Sequence, residues 1–401
     1  EFEALFPGLL DDMVAAGVPI LENRPDCIYF GAAGHVLGTG RTLRDEFTAY
    51  VPSRPELEWQ IRRRVREIGN VEIQQRAVDQ PRFDPSAQRV TGVVVEGEDG
   101  PGEVAADLVV DAAGRGTRLP VWLEQWGYQR PREDVVDVGI GYASHQFRLP
   151  DAVIRERVVV AGASRQQPLG LGMLGYEDGT WMLTTFGVAK VKPPQNFSEM
   201  LTLAKKLLPA EFTAALDQAE PIGEMAFHRF PTSRWRRYDK LDRFPAGIVP
   251  LGDAVASFDP TFGQGMTMTS LQAGHLRRAL QAPDGDVARE LNRATAKTTF
   301  PVWMMNAIGD FSFHHAGGPM PRWYGPIGNL FDQFLGAAET DPVLAEWFLR
   351  RFSLLDSLYM VPSARLVGRA IRHNMRLWLA ERRQARRARY PDSARSRSGS
   401  R

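Results

Sequence analysis

The chain has 401 residues, of which 43% are hydrophobic and 24% charged. That composition excludes a disordered chain and is ample for a sizeable core and two domains. The single cysteine, Cys27, excludes an intrachain disulfide framework and fits a reducing cytoplasm. No uninterrupted apolar run approaches the ~20 residues that a membrane-spanning helix needs.

Phe2 to Leu10 reads as a helical segment, and Cys27-Ile28-Tyr29-Phe30 as an apolar run with a buried thiol. Gly31 to Gly40 clusters glycines with no helix behind them. Ser53 is placed to cap a helix whose first turn holds Pro55 and Glu56. A meander is expected through Val71-Glu72-Ile73, Val90 to Val95 and Leu108 to Asp111. Ala106 to Arg118 then runs from a hydrophobic strand into the small-residue turn Ala112-Ala113-Gly114-Arg115-Gly116-Thr117, ahead of a helix from Leu119 to Trp126.

Strands dominate from Val135 to Phe230: Val135 to Phe147, Arg157 to Ala161, Gly170 to Tyr176 and Trp181 to Val188, followed by a helical pair near Phe197 to Leu216. A literal Gly-x-Gly-x-x-Gly stands at Gly170 to Gly175. The hairpin turn after it leads into another strand, so no helix N-terminus is there to receive a phosphate.

Gly247 to Leu251 has the character of a short buried parallel strand. It leads into Gly252-Asp253, an Asp-Pro turn through Asp259-Pro260, and Gly263-Gln264-Gly265-Met266. A helix with apolar residues at helical spacing follows as far as Leu280. An acid at a strand end in an open α/β sheet stands where ligands bind. Gly263 and Gly265 let main-chain N–H groups approach a flat ligand, and the helix start favours negative charge. The chain is helical again from about Val287, punctuated by Pro319, Pro321 and Pro326. His314-His315 has no carboxylate or Cys spacing around it that would make a metal site, so no metal is expected. Neither a Gly-x-Ser-x-Gly elbow nor a Gly-Lys-Ser/Thr phosphate loop occurs.

The net charge of +1 conceals an asymmetry, because Val361 to Arg401 carries twelve arginines against Glu381 and Asp392. Three readings compete for this end. A terminal helix packed on the body, with a solvated basic face and a Ser/Arg tail, is favoured. A peripheral membrane contact comes second, and a nucleic-acid partner is not expected.

Gly-Asp-Ala at Gly252, then Pro260, then Gly263-Gln264-Gly265-Met266 and a helix resembles the second flavin motif of the para-hydroxybenzoate hydroxylase-like flavoproteins. That superfamily includes class A flavoprotein monooxygenases, squalene epoxidase-like and geranylgeranyl reductase-like enzymes. The resemblance implies that Asp253 holds the ribityl chain of FAD, that Pro260 lies near the flavin edge, and that Gly263 to Met266 face the pyrimidine end of the ring. Gly114 and Thr117 fit the family's middle motif, which serves flavin and nicotinamide. Ala113 occupies that motif's Asp slot, with the nearest acid at Asp111, so its nicotinamide half lacks its acid. Arg54 matches the family's Arg-x-x-Leu helix and would reach the ribityl and phosphate part of FAD. The family's opening strand, Gly-x-Gly-x-x-Gly turn and helix do not precede Phe2, and an amino-terminal stretch of several tens of residues is expected to be missing.

The resemblance implies an α/β fold with an FAD/NAD(P)-binding Rossmann-like domain, an inserted, mainly antiparallel α+β substrate domain, and a helical carboxyl-terminal region. The expected parts are residues 1–130, an amino-terminally incomplete FAD-binding domain; 131–245, the substrate domain; 246–283, the return to the FAD-binding domain; 284–385, a carboxyl-terminal helical region; and 386–401, a basic, disordered tail. The implied activity is that of a cytoplasmic FAD-dependent oxidoreductase. A monooxygenase that hydroxylates or epoxidises a small apolar or aromatic substrate is favoured, with NAD(P)H as candidate reductant. A flavin-dependent reductase of prenyl double bonds and a non-catalytic flavoprotein relic are the alternatives. Phe300 to Met305 and Phe311 to Phe313 are candidates to line the pocket, although core packing is the commoner use of such residues. In a flavoenzyme the protein need supply only position, polarity and water exclusion, so the missing acid/base constellation is not contrary.

Overall fold

A computed structural model describes residues 1–22, 25–39, 48–97, 100–150, 153–282, 286–313, 322 and 324–389. Within the last helix, side chains are described as far as residue 380 and at 382. The fold is mixed α/β, as the sequence pattern implies. The expected features at His314-His315, Pro319 and Pro321 lie outside the described residues, as does the tail beyond Arg389.

The largest layer is an eight-stranded sheet. Its middle is the antiparallel run of Glu133–Arg148, Thr180–Gly187 and Leu169–Gly175. Glu133–Arg148 alternates buried and partly exposed positions along its middle, the period expected of a strand with one face on a core. Glu220–Arg236 flanks it on the other side, with register shifts between Ile222 and Ala226 and between Phe230 and Thr232. Val158–Ala161 continues the sheet, antiparallel to Leu169–Gly175 and parallel to Ile28–Ala32. The sheet therefore takes strands from both sides of residue 130, and Ala256–Ser257 closes its far edge.

The Gly170 to Gly175 run is a sheet strand, and packing explains its first and last glycines. A Cβ on Gly170 would stand 2.5 Å from the Phe186 ring and 2.7 Å from the Ala161 carbonyl oxygen, and one on Gly175 would stand 3.0 Å from the Trp181 ring. These two glycines let side chains and backbone close over the sheet. The helical pair Phe197–Leu207 and Ala210–Leu216 covers the cluster around Phe147, Leu171, Met173 and Leu183. Asn196 caps the first helix by accepting the Glu199 N–H at 2.9 Å, while Glu199 accepts the Gln195 N–H at 2.8 Å.

The second unit is small: Val109–Asp111 pairs in parallel with Ile248–Pro250. The expected meander differs from the observed one. Val71 and Ile73 are exposed and not in a strand, and the three-stranded antiparallel sheet is instead Val78–Asp84, Arg89–Gly97 and Gly100–Ala105. Leu108 to Asp111 leaves it because the apolar Val109 and Val110 find their partner in the equally apolar Ile248 and Val249. The helices Gly265–Gln281 and Val287–Asp310 pack on this unit, and Tyr324–Ala338, Pro342–Phe352 and Ala364–Arg389 follow. The last helix continues four residues into the stretch expected to be a tail. Its Arg, Gln and Ala residues are strong helix formers.

Gly170→Ala is expected to lower stability by about 1–3 kcal/mol in urea unfolding, through overpacking against Phe186 and Ala161. Gly172→Ala, whose Cβ meets nothing within 4 Å, should change stability by less than ~0.5 kcal/mol. Equal effects would contradict the packing role given to the first glycine.

Candidate functional site

Two turns meet at the carboxyl ends of the parallel pair. Ile248–Pro250 runs into the 3-10 turn Gly252–Ala254, and Val109–Asp111 runs into Gly114–Gly116. The second turn lies against the first: a Cβ on Gly114, whose φ is +70°, would stand 3.9 Å from Asp253 Cβ. Gly252, at φ +63°, donates its N–H to Gln272 Oε1 at 2.7 Å and packs on Thr269 of the following helix.

Asp253 is partly buried, and burial raises its carboxyl above the usual range. The nearby Arg115 and Arg236 guanidiniums pull it back down. Among the described residues no hydrogen bond or ion pair engages that carboxylate. Both arginines are anchored elsewhere. Arg115 donates to Thr232 O and Ser257 Oγ, each at 2.9 Å, and lies 4.2 Å over the Phe230 ring. Arg236 donates to Ala254 O at 3.1 Å and Arg115 O at 2.8 Å and pairs with Glu133 at 3.3 Å. They hold the two turns together and leave the acid free.

Beyond Asp253 the chain forms the short turn Pro260–Phe262, closed by Gly263 in the left-handed region at φ +69°. The helix Gly265–Gln281 starts with no side-chain cap, so its first N–H groups keep their capacity to bind a ligand. Side chains built at Gly116, Gly263 or Gly265 would meet nothing within 4 Å. An uncrowded glycine surface, an unengaged acid and an uncapped helix start fit a flat ligand with a hydroxylated chain and an electron-rich end, which is the chemistry of a flavin.

The other candidates fall in different places. Met266 is half exposed at the helix start. Gln264 is buried, donating to Phe352 O at 2.8 Å and accepting from Asn306 at 2.9 Å, so its side chain ties the turn to the carboxyl-terminal helices. Thr117 points inward, bonded to Asp111 and accepting the Leu119 N–H at 3.0 Å. Arg54 sits at the start of Arg54–Glu67, its side chain 79% exposed and paired with Glu58 at 2.9 Å. That helix packs on Leu9 and Met13. The structure thus sets Gly114 against Asp253 and packs Gly252 on the helix that Gly265 and Met266 open, while Arg54 lies on a separate helix, paired with Glu58.

A cavity of about 340 Å³ opens beside the Pro260–Phe262 turn, between the large sheet and the helices Val287–Asp310, Tyr324–Ala338 and Pro342–Phe352. Its volume suits a small molecule, and Phe30, Phe186, Phe262, Met305, Phe348 and Phe352 make much of its wall apolar. Of the aromatic segments singled out from sequence, Met305, Ser312 and Phe313 reach it. Trp303 packs instead against Trp235 and Phe258, and Phe300 is half exposed.

Two carboxyls also border the cavity. Asp259 and Asp310 are 2% and 4% exposed and lie in hydrogen-bonding contact with each other. Asp259 accepts the Thr261 N–H and hydroxyl, each at 2.7 Å, while Asp310 Oδ2 has no partner among the described residues. Burial raises both, and the Asp259 charge pushes Asp310 further up, so the pair retains a shared proton well above the usual carboxylate range. No group of three or more potential metal ligands forms among the described residues. Arg236 and Asp310 carried no signal in the one-dimensional pattern, and Arg115 stood in the quoted small-residue turn with no role of its own. Asp259 stood inside the quoted motif, yet its partner is fifty-one positions away, between residues 259 and 310.

Comparison with known proteins places these features in context. Residues 318–384 match the family described as the Mycobacterium Rv3254 C-terminal domain. The chain is 74% identical over 397 residues to Protein Rv3254 of Mycobacterium tuberculosis (strain ATCC 25618 / H37Rv), covering 96% of this chain and 84% of that protein. Among solved structures it resembles p-nitrophenol 4-monooxygenase PnpA from Pseudomonas putida DLL-E4, with TM-score 0.59, 18% identity and coverage of 87% of this chain and 84% of that one. OxyS anhydrotetracycline hydroxylase from Streptomyces rimosus gives 0.54, 18%, 89% and 66%. The flavin-dependent brominase Bmp2 gives 0.53, 15%, 94% and 86%. At such identities the likeness is one of fold.

The carboxyl pair has a measurable consequence. A carboxyl whose folded pKa is raised binds its proton more tightly in the native state, so stability falls as pH rises from the unfolded pKa to the folded one. Asp310→Asn keeps the shape and can donate to Asp259. Its melting temperature should therefore fall less between about pH 5 and about pH 8 than that of the parent protein. Identical slopes would contradict the shared proton.

Proposed function

The chain belongs to the family of Protein Rv3254, and we propose that it is an FAD-dependent oxidoreductase, a monooxygenase that hydroxylates or epoxidises an apolar small molecule. The observation that carries the flavin reading is the unengaged Asp253 carboxylate facing Gly114 at the ends of two parallel strands. In this reading Asp253 accepts hydrogen bonds from the ribityl hydroxyls. The main chain at Gly263 to Met266, with the positive end of its helix, holds the electron-rich end of the ring. When bound, FAD would supply the redox chemistry, taking electrons from NAD(P)H and delivering them to dioxygen.

The chain's own residues bind, orient and exclude water. Phe262 and Phe352 stack with ring centroids 5.9 Å apart at the cavity wall beside the Pro260–Phe262 turn. They offer an apolar ring or chain a dry surface next to the glycine cradle. Asp259 and Asp310 give that wall one polar, proton-bearing point to orient a hydroxyl or carbonyl. Two fold neighbours are named as a monooxygenase and a hydroxylase, which favours oxygen insertion over alkene reduction.

The test is an oxygen balance. Full-length protein reconstituted with FAD and given NADH or NADPH should consume dioxygen faster when an accepted apolar substrate is present. The product should carry one oxygen atom from labelled dioxygen. Saturation of a substrate double bond under strict anaerobiosis, with no oxygen incorporated in air, would contradict the monooxygenase.

A further inference from the structure

Among the described residues, the helix Ala364–Arg389 is attached to the body along one face. Leu366 and the buried Ala370 pack into the cluster around Phe334 and Phe348. Asn374 donates to Gln333 O at 3.0 Å, and His373 bonds Thr340 at 2.8 Å. These contacts set the face that meets the helix Tyr324–Ala338.

The remaining surface carries two parallel stripes. Ile371, Met375, Trp378 and Arg382 follow one another at i, i+4, i+7 and i+11, and the apolar three are 57%, 56% and 47% exposed. Leu379, 44% exposed, widens that stripe, and the Arg382 guanidinium lies 3.8 Å over the Trp378 ring. Arg365, Arg369, Arg372 and Arg376 repeat the same spacing one position away, about 100° round the helix. All four are exposed, and among the described residues only Arg369 has a carboxylate partner, Asp341 at 2.5 Å.

We propose that this helix is an interfacial anchor whose occupant is an anionic lipid surface, with Ile371, Met375, Trp378 and Leu379 inserted among the acyl chains and the arginine stripe on the headgroup phosphates. A broad exposed apolar stripe with tryptophan, edged by arginines, meets both demands of such a surface. The charge pattern singles out this occupant. From residue 364 to residue 389 the helix has nine arginines and one acid, Glu381. A second copy docked through the apolar stripe would bring like-charged arginine rows together, whereas an anionic bilayer neutralises them.

The position also matters. The helix Tyr324–Ala338 lies between this anchor and the cavity, lining the cavity with Tyr324, Phe331 and Leu335 while exposing Ile327 and Leu330. No described helix is long and apolar enough to cross a membrane, so the attachment is one of lying on the surface.

The experiment is co-sedimentation of the full-length protein with vesicles of phosphatidylcholine alone or mixed equally with phosphatidylglycerol. Binding to the mixed vesicles and little to the neutral ones is expected. Ile371→Ser with Trp378→Ser, and separately Arg372→Glu with Arg376→Glu, should each weaken binding at least about tenfold with melting temperatures unchanged. Absence of binding to the anionic vesicles would overturn the proposal. So would undiminished binding of the serine variant, which would leave a purely electrostatic contact. Light scattering that shows a dimer dissociated by the same serine substitutions, with no vesicle binding, would assign the face to a second copy instead.

Discussion

The parallel pairing of Val109–Asp111 with Ile248–Pro250 is the constraint on which the site depends. Three residues of strand on each side place two turns, far apart in the chain, edge to edge. Apolar side chains make the pairing obligatory, because Ile248 and Val249 are wholly buried between the helices and the large sheet. Arg115 and Arg236 then fasten the turns through backbone carbonyls, satisfying acceptors that burial would otherwise strand. What remains, among the described residues, is a partly buried acid with no hydrogen-bond partner and, beside it, surface glycines with open space above them, an opening onto which a flat ligand can close.

The carboxyl-terminal helices are joined to the same region by polar contacts of high buried density. Gln264 reaches Phe352 and Asn306, and Asp259 reaches Asp310. Each link runs from the turn after the strand to a helix that also walls the cavity. Motion of those helices is therefore coupled to the shape of the turn, and the cavity and the cradle form one unit. Buried polar networks of this kind specify a single arrangement only when their members are satisfied. Among the described residues, Asp310 Oδ2 and Asn306 Oδ1 are the members that are not.

Much of this was legible in the chain. The strand at Ile248, the helix after Gly265, the capped helix after Ser53 and the antiparallel run from Glu133 to Gly187 are local patterns, and periodicity and capping residues declare them. The false phosphate loop at Gly170 was legible for the same reason, since a strand and not a helix follows it. The three-stranded sheet was misjudged at Val71 because a short apolar alternation in an exposed segment carries the same letters as a strand. Non-local facts were out of reach. Nothing in sequence places Arg236 against Asp253, sets Asp310 beside Asp259, or turns the Thr117 hydroxyl inward to Asp111. Gln264 illustrates the limit: its position in the motif was evident, yet its side chain serves the helix interface.

The central claim is that the region around Asp253 binds a flavin. The most direct measurement is a fluorescence-quenching titration of FAD with the full-length protein and with Asp253→Ala. Saturable binding is predicted, weakened about tenfold in the variant by the loss of charge-assisted hydrogen bonds. No saturable binding by the parent protein, or equal affinity of the two, would contradict the account.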